Sequence, residues 1–200
     1  MFLRKVLPTA FVLLAIPGFG SAAVIDFESL ASGDYSSPLS FNNVGGSGVD
    51  VTVTAGSTGF TVYSSGTSHA HMLLDFFPTN PVGTTYTFSS AISGFSMEAG
   101  DLGADDDTPL TIKLYDGSDN LLDTVAVSYD ASKNIGNGDF ALLSSSAVGV
   151  RKVVFTGGGA FPGSIYMDNV TFGAVPEPAT MLGLAAGSAL LIRRRRKASK

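Results

Sequence analysis

Between its two ends, the chain's apolar and polar residues alternate in short runs, and they do not recur at every third or fourth position. Val49-Asp50-Val51-Thr52-Val53-Thr54 is the cleanest case, the pattern of a strand with one face in a core. Apolar-rich runs of strand length recur at 24–27, 60–63, 72–76, 84–88, 92–97, 110–115, 122–129, 140–143, 150–156 and 165–172. Gly- and Asp-rich stretches separate many of them. Asp116-Gly117-Ser118-Asp119-Asn120 has the turn residues of a hairpin between two such runs. No long stretch has the 3.6-residue period of an amphipathic helix, and no internal repeat is visible. About eleven short strands with Gly-rich turns predict an all-β fold, an antiparallel β-sandwich that is jelly-roll-like.

The ends break this pattern. Arg4 and Lys5 precede an apolar run over 6–16, Pro17 and Gly18 interrupt it, and Ser21-Ala22-Ala23 supplies small residues. That order is a secretory signal peptide over 1–23, with signal peptidase expected to cut before Val24. At the other end, Pro176-Glu177-Pro178 leads into an apolar run over 179–192 and then Arg193-Arg194-Arg195-Arg196-Lys197. A helix over the 14 residues of that run reaches only ~21 Å at 1.5 Å per residue, short of a bilayer core of about 30 Å. As a transmembrane helix it is short. It would hold the membrane with help from snorkelling arginines, the basic cluster staying on the cytoplasmic side.

Motif, short apolar helix and basic cluster in this order resemble the PEP-CTERM sorting signal over 175–197. The resemblance implies recognition by an exosortase, an integral-membrane thiol protease, with removal of the tail near Pro176-Glu177-Pro178. It further implies a Gram-negative bacterium that makes exopolysaccharide, and a route from an inner-membrane-tethered precursor to the cell surface or the medium. The domain between, 24–174, opens Ile25-Asp26-Phe27-Glu28 and closes Met167-Asp168-Asn169-Val170-Thr171-Phe172. These ends are loosely similar to PEP-CTERM ectodomains and to calcium-containing jelly-roll carbohydrate-binding modules, in which the terminal strands lie close together.

Composition sharpens the picture of this middle domain. It is long enough to bury about two-thirds of its unfolded surface. Twenty glycines give it about twice the usual frequency. There is no cysteine, so thiol catalysis and cysteine metal sites are excluded. Of the 12 basic residues only Lys113, Lys133, Arg151 and Lys152 belong to it, against sixteen acids, a net charge of about −12 where the whole chain carries −5. Nucleic-acid binding is excluded on that balance, because phosphate contacts need a basic surface. Divalent cations are the natural counter-ions, and calcium prefers such oxygen ligands.

Candidate sites follow from the acids. Alternation through 165–172 places Asp168 with Tyr166, Val170 and Phe172, a costly position unless the carboxylate is paired or metal-bound. One reading makes Asp168 a structural calcium ligand joined by Asp26 or Glu28; the other has it accept loop N–H bonds at the sandwich edge. Asp101, Asp105, Asp106 and Asp107 read as a solvated acidic loop, with a surface calcium site as the alternative; they lack the EF-hand spacing. His69 and His71 share a face and form a two-ligand set with no evident third. Tyr35, Tyr63 and Tyr86 can serve a sugar site or pack in the core. No nucleophile elbow, metalloprotease helix or phosphate loop is present. The expectation is a non-enzymatic, surface-directed protein associated with extracellular polysaccharide. A carbohydrate-binding module with a defined glycan is the alternative, and a matrix-glycan hydrolase stands third.

Overall fold

The computed structural model describes residues 22–56, 59–64, 71–75, 83–101, 109–129, 135, 139–158 and 165–175. Within them run eleven strands: β1 Ala23–Ile25, β2 Gly33–Ser36, β3 Leu39–Phe41, β4 Val51–Thr54, β5 Gly59–Tyr63, β6 Met72–Leu74, β7 Thr84–Asp101, β8 Leu110–Tyr115, β9 Leu121–Val127, β10 Ala141–Thr156 and β11 Ile165–Ala174. Every pairing is antiparallel. The all-β class is as expected, but the strand count matches for a different reason. β7 is 18 residues long and absorbs two predicted strands, and β10, at 16, absorbs two more. In exchange, the alternation does not predict β2 or β3. β2 is Gly-Asp-Tyr-Ser, poor in strand-forming residues, and β3 has three residues.

The two long strands make the sandwich. The first part of β7 pairs with β4, and its last part pairs with β11. The first part of β10 follows the last part of β7, while its last part pairs with the start of β7 and with β8. Register shifts between Ser145 and Lys152 mark the bend in β10, with Gly149 at φ 85°. Gly94, at φ 64°, marks the bend in β7. A glycine in left-handed conformation is the device that lets a strand bulge and turn a corner. One layer therefore holds β3, β4, the start of β7, the end of β10, β8 and β9. The other holds β2, β5, β6, β11, the end of β7 and the start of β10, with β1 on β11.

Inward-facing residues of both layers fill the space between. Tyr86 and Phe88 point from the first layer onto Phe95, Met167 and Phe172 of the second, all fully buried. Phe88 meets Phe172 edge-on at 5.1 Å and Phe95 at 6.3 Å, the preferred aromatic geometry. The Tyr86 hydroxyl donates to the Met167 sulfur at 3.4 Å.

The outer face of the second layer has a cover of its own. Met72, Leu74 and Tyr166 form a smaller cluster with Ile135, and Phe140 packs against it. Gly100 makes this approach feasible, since a Cβ there would run into the Ile135 side chain and the Tyr129 hydroxyl. Burial pushes the Tyr129 phenol up to about 12, with the Asp139 and Asp101 charges adding to it against an opposing hydrogen bond at Asp101. Burial raises Tyr86 further, helped by the charges of Asp75 and then Asp168. A folded pKa above the unfolded value of 10.0 means stability that is complete below pH 10.0 and lost as pH rises through the folded value. Alkaline titration followed by tyrosinate absorbance should therefore show a late phase coincident with unfolding. A single phase near 10.0 for all 6 tyrosines, with the fold intact, would contradict this packing.

Candidate functional site

β1 and β11 lie side by side, as the resemblance implies: Ala23 faces Phe172, Val24 faces Thr171 and Ile25 faces Val170. Ala23, which the sequence assigns to the leader, is the first residue of β1 and is fully buried. Beyond β1 the chain turns through Phe27, whose φ of 55° is left-handed, and this turn carries Asp26 and Glu28. The Asp26 carboxylate accepts the Glu28 N–H at 3.2 Å and so helps form the turn. The Glu28 carboxylate reaches across to the start of β6. It accepts the His71 N–H at 3.1 Å and stands 3.4 Å from His71 Nδ1. That nitrogen is buried and makes no hydrogen bond among the described residues.

Asp168 is 1% exposed. Its surroundings differ from those that strict alternation predicts. Asn169 sits at φ 48°, and the β11–β7 register shifts between Asp168 and Thr171. Asparagine tolerates this conformation better than most residues. The bulge reverses the alternation, so Ile165, Met167, Val170 and Phe172 face the main core, while Tyr166 belongs to the outer cluster. Asp168 is thus on the Tyr166 side, not with Val170 and Phe172. Its carboxylate accepts the Asn169 N–H at 2.7 Å, and the Asn169 amide donates to Glu98 at 2.7 Å.

Asp26, Glu28 and Asp168 therefore lie at one end of the paired terminal strands, each with hydrogen bonds of its own. No group of three or more His, Asp or Glu side chains suited to hold a metal occurs among the described residues. Asp101 departs from the expected solvated loop. It is the last residue of β7, pairs with Ile165 and is buried. Asp105, Asp106, Asp107 and His69 lie outside the described residues, as do Pro176, Glu177, Pro178, the cluster from Arg193 to Lys197 and the segments expected as leader and transmembrane helix. Among the described residues no helix is long and apolar enough to cross a membrane.

An open cavity of about 230 Å³ adjoins the same turn, lined by Ile25, Asp26, Phe27, Phe41, Asn43 and Val44 among others. Asp26 is its one charged wall. The tyrosines singled out for sugar stacking divide. Tyr86 is fully buried, Tyr35 donates its hydroxyl to the Ala31 carbonyl at 2.8 Å, and Tyr63 packs edge-on against Tyr166 at 5.4 Å.

One feature was not predicted. Asp75, directly after the buried triplet Met72-Leu73-Leu74, is itself buried. Its Oδ2 accepts the Gly56 N–H at 2.6 Å and the Thr84 hydroxyl at 2.8 Å. In the sequence the signal is a lone carboxylate inside the apolar run 72–77. Asp75 ties the end of β6 in one layer to the end of β4 and the start of β7 in the other.

The tail carries a signal of a different kind. Residues 174–197 match the family model of the PEP-CTERM protein-sorting motif. The chain carries a PEP-CTERM sorting signal. The signal implies an exported protein handled by an exosortase. No curated protein sequence matches the chain. Among solved structures, it is similar to the N-terminal CBM22-1–GH10 modules of Clostridium thermocellum endo-1,4-β-D-xylanase 10B, complexed with xylohexaose. Identity is 13% and the TM-score 0.26, over 80% of this chain and 27% of that one. That likeness is too slight to bear on fold or ligand.

Proposed function

We propose that this is an exported, non-enzymatic protein of the cell surface, its PEP-CTERM tail removed by an exosortase in a Gram-negative bacterium and its sandwich left in the extracellular polysaccharide matrix. The observation that carries the reading is the sorting signal over 174–197. Its placement supports the same view. β11 ends at Ala174, so a cut near Pro176-Glu177-Pro178 would leave every strand intact. It would also separate a cationic tail from a body of net charge near −12, and a body so charged stays soluble in the medium.

Replacing Pro176, Glu177 and Pro178 together by alanine tests the reading. The unaltered protein is expected in the surface and medium fractions. The variant is expected to keep its tail and remain with the inner membrane. An identical distribution of the two proteins would overturn the proposal.

A further inference from the structure

The second layer is covered by the cluster around Ile135, whereas no such cluster lies on the outer face of the first among the described residues. The strand register lays out that bare face in rows. One row crosses six strands as Ser40, Thr52, Thr87, Lys152, Tyr115 and Leu121. The next crosses five as Thr54, Thr85, Val154, Lys113 and Thr124. A third, shorter row begins with Thr156 and Thr111. Their in-strand neighbours Val53, Tyr86, Val153 and Leu114 are fully buried, which fixes these side chains on the outside. From β4 to β9 the platform is about 19 Å wide, at roughly 4.8 Å per strand.

Threonine is common on exposed strands, so hydroxyl rows alone say little. Charge placement says more. The middle domain has sixteen acids, yet these rows contain none. Two of its four basic residues, Lys113 and Lys152, stand in these rows, and a third, Arg151, is next to Lys152 on β10. Lys113 is exposed near the centre. Lys152 lies over the Tyr115 ring at 4.7 Å and bonds Asp119 at 2.5 Å, so its charge is partly answered. Arg151 stands beside Gly117 in the β8–β9 turn. Neither Lys113 nor Arg151 has an ion pair among the described residues. The exposed leucines nearby, Leu121 and Leu122, lie at the rim on β9.

We infer that this face binds an acidic polysaccharide, an extended chain bearing uronate carboxylates. The hydroxyls that β4, β7, β8 and β9 contribute to these rows exchange hydrogen bonds with a polyol, and the lysines receive its carboxylates. A nucleic acid would meet too few cations on a body of this charge. The inference takes from the proposed function only that the body meets extracellular glycan. Its test is made in solution and does not depend on how the tail is processed.

The full chain in detergent is titrated with polygalacturonate oligomers and with neutral dextran at fixed salt, so that the basic tail is common to every variant. Binding to the polyuronate and none to dextran is expected. Lys113→Gln should weaken binding about five- to tenfold, and Thr87→Val, which removes one hydroxyl, about threefold. Ser146→Glu shifts net charge by the same single unit on β10 in the other layer, and should bind as the unaltered chain. The inference is overturned if Lys113→Gln and Thr87→Val both bind unchanged. Equal loss in Ser146→Glu, equal binding of dextran, or self-association through this face in sedimentation would overturn it too.

Discussion

Phe88→Ala is expected to destabilise the protein by about 3–5 kcal/mol, the range for deleting a large buried aromatic. Phe88 is the contact between the layers: it is 1% exposed, and its ring meets Phe172 and Phe95 at their edges. Truncation leaves a cavity lined by residues from both layers, and bent strands joined at two corners cannot close it cheaply. The loss should lower the melting temperature by about 6–20 °C for a domain of this size. Urea unfolding should show a shifted midpoint with little change in slope, since the surface exposed on unfolding is nearly the same. A loss under about 1 kcal/mol would mean that the layers do not meet at this ring.

Asp75→Ala comes next, at about 2–5 kcal/mol. Its carboxylate accepts the Gly56 N–H and the Thr84 hydroxyl. Removing it leaves the Thr84 hydroxyl without this partner in a buried place and the Gly56 N–H in a half-buried one, each at about 1–3 kcal/mol. Asp75→Asn keeps an acceptor oxygen and the shape, and should recover part of the loss. Equal stability of the alanine variant and the unaltered protein would show that the layers do not depend on this carboxylate.

The alternation at 49–54 and 110–115 made the strands legible because those segments have one face in the core and one in water. β7 and β10 were legible only as halves. Gly94 and Gly149 look like breaks, and only the cross-strand register shows them as bends within one strand. β2 and β3 are held by pairing with β5 and β4, a tertiary effect that local propensity does not carry. At Asp168 the alternation predicts burial correctly and the face incorrectly. A single left-handed residue, Asn169, reverses the alternation, and nothing in the apolar pattern marks it. The pairing of β1 with β11 came from the resemblance, not from periodicity. The contact of the Glu28 carboxylate with His71 joins residues 43 positions apart, which no local pattern marks. Asp75 was missed because a buried carboxylate becomes intelligible only with its two donors in view.

The tail was the most legible segment because its information is linear: a motif, an apolar run and a basic cluster are read in sequence whatever the fold. The face of β4, β7, β10, β8 and β9 is the opposite case. Thr87, Lys152 and Tyr115 are far apart along the chain and become a row only through register.

The mass of the mature protein decides whether the sandwich reaches the surface without its tail. Protein recovered from the surface and medium fractions should end near residue 178, with all eleven strands retained and Arg193 to Lys197 gone. A surface or medium pool that still ends at Lys200 would show that the tail is not removed on the way out.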